Sequence, residues 1–206
     1  EYIDRTEIIC SIVATLSCFG RSMAQRGLIQ RTLEQLVYSK RDSGATMLLN
    51  LRQLPALLVM YAAGAAALGS EHLDNLRPIL RDPVATDGDG QRETFVRIVN
   101  PSSVLDEARD ILQGEGYPRW ATSSAYMHSV LLGTVGPLLP SDEAYTAAFD
   151  QFEFLAGLIL IGDQHDRTPI WGGFCMSRER LASVERFLRR GGDMGSSWPI
   201  LRDLFN

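Results

Sequence analysis

The chain has 206 residues, 45% hydrophobic and 22% charged, with a formal net charge of −5. That apolar share supports a full core without a metal or disulfide staple, and the acidic balance argues against a chain whose main work is gripping nucleic acid. The odd cysteine set of Cys10, Cys18 and Cys175 argues against a disulfide framework and for a reducing, cytoplasmic setting.

Lys40 is the only lysine beside 19 arginines, which fits the coding bias of a GC-rich bacterial genome. The chain opens at Glu1 with no basic-then-apolar leader, and so reads as a fragment or C-terminal module of a longer protein.

In chain order, residues 3–19 read as a helix with Ile9, Val13, Leu16 and Phe19 as its inward stripe and Gly20 as its stop. Cys10 and Cys18 lie two helical turns apart, too far to bridge, and the cysteines read as small apolar fillers. Residues 22–39 form a second helix, with Leu28, Ile29, Leu33, Leu36 and Val37 inward, and residues 45–53 a third.

The run LRQLPALLVMYAAGAAALGS, 51–70, has no charge after Arg52. It is marginal for a membrane span of about 20 residues and lacks a flanking basic cluster. Pro55 suits a first helical turn, Gly69 can close the helix in the left-handed conformation, and an all-apolar helix of this length belongs in a core. Its small residues, Ala62 to Ala67 around Gly64, predict close backbone approach by neighbouring helices.

Residues 71–81 predict a short helix, and DPVATDGDGQRE, 82–93, a surface loop that is the one candidate internal boundary. In ETFVRIVN, alternation places Phe95, Arg97 and Val99 on one side and Val96 and Ile98 on the other, which suits a strand paired with GGFCM, 172–176. Ser103 is in place to cap a helix with Asp106 as its box partner and Gly114 as its stop. Residues 122–135 predict another helix. Ser141 starts a longer one, with Tyr145, Ala148, Phe149, Phe152, Leu155, Ala156 and Ile159 inward. Asp150 and Glu153 flank that stripe and read as its solvated edge. Ser177 starts a helix through Arg190, Gly191-Gly192 stops it, and a short helix begins at Ser197. The sum is a mainly α, single helical domain, 1–206, of about nine helices with at most one short two-stranded β element.

The sharpest enzymatic pattern is QHDR, 164–167. A His-Asp pair on a helical frame resembles the HD metal-dependent phosphohydrolases, with His128 as upstream ligand, His165 and Asp166 as the pair, and Asp193 or Asp203 as the last ligand. The surrounding GDQHDRTP favours a solvated loop. DGDG, 87–90, fails as an EF-hand because the expected carboxylate position holds Val96. There is no P-loop, no GxSxG elbow and no dinucleotide fingerprint.

Arg178, Arg180, Arg186, Arg189 and Arg190 against Glu179 and Glu185 give residues 178–190 a local charge of +3. The interaction patch expected from this is Arg178, Arg186, Arg189 and Arg190 with Trp171, and a nucleic-acid contact through these arginines is the weaker alternative. Trp120, Trp171 and Trp198 all sit within two residues of a Pro or Gly in connections, as corner plugs or partner anchors.

Taken together, LRQLPALLVMYAAGAAALG, FDQFEFLAGLIL, WGGFCM and WPILRDLF resemble a helical C-terminal module of bacterial multidomain proteins associated with antiphage defence. The resemblance covers most of the chain from residue 45 onward and rests on packing motifs, so it carries over no functional residue. It implies an effector or nucleotide-processing domain upstream. The function expected is a non-catalytic, cytoplasmic sensing or protein-interaction module with no cofactor and no membrane. Its partner is a protein, its own effector domain or a second copy; the alternative is the HD-like phosphohydrolase.

Overall fold

The computed structural model describes residues 2–37, 46–86, 91–108, 122–163 and 172–193. Among these residues it is mainly α with one two-stranded antiparallel sheet. The order is α1 (Tyr2–Phe19), α2 (Met23–Leu36), α3 (Thr46–Leu51), α4 (Leu54–Gly69), α5 (Arg77–Leu80), β1 (Val84–Thr86), β2 (Arg92–Thr94), α6 (Phe95–Ile98), α7 (Pro101–Leu105), α8 (Thr122–Val135), α9 (Asp142–Asp163) and α10 (Arg178–Asp193).

α4 is the axis of the core. Every residue from Ala56 to Leu68 is buried. It packs chiefly against α1 on one side and α9 on the other. The close approach expected from its small residues is present: a Cβ at Gly64 would overlap the ring of Phe152 on α9, and one at Gly69 would strike the Leu139 side chain. Gly69 does not adopt the left-handed conformation; the positive φ falls instead at Glu71, at 60°. α9 is long and apolar enough to cross a membrane, but half of its apolar window is buried within the fold, as befits a core helix.

α1 differs from the expected stripe. Its buried side chains are Thr6, Cys10, Val13, Ala14, Ser17 and Cys18, and Phe19 is 64% exposed. Small residues line the inner face because the α4 backbone lies against it. α2 buries Ile29 and Leu33 as expected, while Leu28 faces outward. Ser22 and Gln25 form a capping box at its start. Cys10 and Cys18 are buried fillers, whereas Cys175 is exposed.

The predicted helix at 71–81 is broken into a 3-10 turn, Leu73–Asn75, and α5. Asn75 explains the break. Its buried carboxamide donates to the carbonyls of Ser17 and Gly20 at 2.8 and 3.0 Å, so it closes the end of α1 rather than continuing a helix.

The expected strand over residues 93–100 is largely helix. β2 ends at Thr94, which is extended and precedes the single turn of α6. Phe95, Val96 and Val99 are all buried, a helical rather than an alternating set. β2 pairs with β1, Ala85 opposite Glu93, so both ends of the predicted surface loop over 82–93 are strand instead, and Ala85 is buried because the short sheet lies against the core. The proposed partner, 172–176, is a 3-10 turn over Gly173–Met176 instead. The α7 cap is Asn100, not Ser103. Asn100 accepts from the Ser103 N–H at 3.0 Å, and Pro101 takes the first helical position. α10 runs through Gly191 and Gly192 rather than stopping before them. The expected stop at Gly114, the DGDG turn and the helix from Ser197 lie outside the described residues.

Candidate functional site

The largest departure from sequence expectation is at Asp150 and Glu153. Neither is on a solvated edge: Asp150 is fully buried and Glu153 is 4% exposed. Three residues apart on α9, they project from its flank toward the start of α8 and the segment leading into α10.

Asp150 holds Arg180 of α10 in a two-pronged pair. Arg180 Nε donates to Asp150 Oδ2 at 2.8 Å, and Nη2 donates to Oδ1. Burial raises the Asp150 carboxyl above its ordinary value, and the guanidinium draws it back. Glu153 Oε2 accepts from the Ser124 hydroxyl of α8 at 2.8 Å and from the Gly173 N–H at 2.6 Å. Burial pushes the Glu153 carboxyl up to about 7, against the pull of those two donors.

The glycine pair completes the joint. A Cβ at Gly172 would collide with the Glu153 carboxylate, and one at Gly173 with the Arg180 guanidinium. Only glycine lets this turn lie flat on both charged groups. Phe174 then packs edge-on to Phe154 of α9, centroids 5.6 Å apart.

An aromatic cluster adjoins the acids. Tyr61 of α4 packs on Phe149 and Phe152, with ring centroids 5.4 and 5.0 Å apart. His128 of α8 lies against Tyr145 and Phe149 at 4.8 and 5.2 Å. His128 Nε2 is 3.1 Å from the Thr146 hydroxyl, which itself donates to the Asp142 carbonyl. The Nε2–H is therefore the donor to Thr146. Burial, reinforced by Arg180, lowers the His128 pKa to about 4, so the ring is neutral.

Among the described residues, no group of three or more His, Cys, Asp or Glu side chains is placed to hold a metal. His128, the upstream candidate, is engaged with Thr146 and two rings, and His165, Asp166 and Asp203 lie outside the described residues. The patch arginines Arg178, Arg186, Arg189 and Arg190 are exposed on α10. Arg180 belongs to the interior, so the exposed face carries four arginines against Glu179 and Glu185. Trp120, Trp171 and Trp198 lie outside the described residues.

A second polar cluster ties α1, α2 and the Leu73–Asn75 turn together. Arg26 Nε donates to Asn75 Oδ1 at 3.2 Å and its Nη2 to Asp74 at 2.7 Å. A groove of about 450 Å³ runs beside it, lined by Arg21, Arg26, His72 and Asn75 among others. A smaller hollow of about 110 Å³ opens between α1, α4 and α8 at Cys10, Leu58 and Leu131.

The signal for the buried acids was present but indirect. α9 contains no lysine or arginine, so Asp150 and Glu153 have no cation on their own helix. The Gly172-Gly173 pair stands seven residues before Arg180.

The polar joint and the aromatic cluster unite α4, α8, α9 and α10 into one body, and both carboxylates are committed to internal partners. No family model, curated protein or solved structure matches the chain.

Proposed function

We propose that this chain is a non-catalytic helical module that binds a macromolecular partner through its exterior, on behalf of an effector domain elsewhere. The supporting observation is the outer face of α1. Ile8, Ile12 and Phe19 are 65%, 56% and 64% exposed. Their spacing puts them on one line along the helix, opposite the inner face of Cys10, Val13, Ala14 and Cys18. Met23, just past the turn into α2, is also exposed. A helix apolar on two opposite faces is the pattern of a buried helix, and here the fold covers one of them. Contiguous apolar surface of this kind marks an interaction site. The cytoplasmic setting fits the free cysteines, and the role in bacterial antiphage defence rests on the resemblance of the packing motifs alone.

The test is quantitative co-purification of tagged wild-type chain and the Ile12→Glu variant from bacterial cells, with size-exclusion of both. A stoichiometric partner lost with Ile12→Glu is the expected result. A strictly monomeric chain that turns over a substrate by itself overturns the reading.

A further inference from the structure

Resting on the interaction reading above, we infer that the partner of the outer α1 face is a second copy of the chain, packed antiparallel about a two-fold axis.

The spacing of Ile8, Ile12, Thr15 and Phe19 is four, three and four, the step of a two-helix seam. Antiparallel pairing sets Ile8 of one copy against Phe19 of the other, and Ile12 against Thr15. Each bulky side chain at one end meets a bulky one, and the axes approach most closely at Thr15. From Ile8 to Gly20 the sequence carries no charge, so the contact buries none. Glu7 lies at one end of this stretch and Arg21 at the other, and both are exposed. An antiparallel pair brings Glu7 of each copy to the end where Arg21 of the other lies. A parallel pair would set Glu7 beside Glu7. With Asp4 and Arg5 cancelling at the same end, the net charge of each end agrees with the isologous antiparallel arrangement.

The area suits a reversible dimer. Ile8, Ile12 and Phe19 leave roughly 350 Å² of apolar surface per copy, within the range of patches that serve function. With the flanking Ser11, Thr15 and Leu16 also fully covered, two copies bury at most about 1,000 Å² in total, the size of a weak, reversible interface.

Sedimentation velocity on the purified chain from about 5 to 200 μM tests this. The wild type is expected to dimerise reversibly. Ile12→Glu should raise the dissociation constant at least tenfold, while Leu188→Glu, at an exposed position on α10, should leave it unchanged. Glu7→Arg should weaken the dimer, and Glu7→Arg/Arg21→Glu should restore it; this pair keeps the test open if Ile12→Glu fails to fold. A wild type that stays monomeric throughout, or a dimer indifferent to both Ile12→Glu and the charge swap, overturns the inference. A monomeric wild type that still retains a different protein in an Ile12-dependent manner overturns the dimer and leaves the interaction-module reading standing.

Discussion

Replacing Glu153 by glutamine keeps the side-chain shape and removes its charge. The carboxyl is raised from an ordinary 4.5 to about 7 by burial, which outweighs the Ser124 and Gly173 donors. An acid raised on folding binds its proton more tightly in the folded chain than in the unfolded one. Its stabilising contribution is complete below the unfolded value and is lost as pH rises through about 7. At 1.36 kcal/mol per unit, the change between pH 5 and pH 8 amounts to about 2–3 kcal/mol. His128 runs the other way: its lowered pKa removes stability as pH falls through the ordinary 6.5 toward about 4. Both forms keep His128, so the difference between wild type and Glu153→Gln isolates the carboxyl. Urea denaturation at pH 5, 6, 7 and 8 is the assay. At pH 5, where the wild-type carboxyl is protonated and as neutral as the amide, the two should differ least. By pH 8 it should have gained about 2–3 kcal/mol on the wild type. Parallel stability curves for the two proteins would refute the claim that this carboxyl sits buried and proton-hungry under the Gly172–Gly173 turn.

Other substitutions probe the same body. Arg180→Ala leaves Asp150 buried without its cation and should cost about 3–5 kcal/mol in denaturant titration; Asp150→Leu/Arg180→Met should recover much of that loss. Gly64→Ala drives a methyl into the Phe152 ring and should lower stability by about 1–3 kcal/mol, with partial recovery in Gly64→Ala/Phe152→Leu. Under native conditions maleimide should label Cys175 alone. Cys10, buried and with its thiol pushed up to about 12, and Cys18, also buried, should react only after unfolding, as mass spectrometry of the labelled chain will report.

What could be read in advance follows from the range of each interaction. α4 and α9 announce themselves through apolar runs of helical period, and burial of those runs follows with no knowledge of partners. Residues 93–100 failed because a short apolar stretch fits either period, and the pairing of β1 with β2 left Phe95 to begin a helical turn. The same ambiguity points Phe19 inward on periodicity alone, although it is exposed. α1 is apolar almost all round, so periodicity alone does not select which face meets α4. The burial of Asp150 and Glu153 is not legible locally because their partners, Arg180, Ser124 and Gly173, are 20 to 30 residues distant in sequence. Local patterning assigns an acid beside an apolar stripe to water unless a cation sits on the same helix. Here the cation comes from α10.

The axial position of α4 shapes how the protein must be made. α1 precedes it and can cover one side at once, but the side meant for α9 waits until Asp163 has emerged, 94 residues after Gly69. At ordinary synthesis rates that interval is roughly 5–20 s. Throughout it the growing polypeptide carries an uncharged, apolar helix with one face still uncovered, the kind of transiently exposed surface that makes a folding chain prone to aggregate.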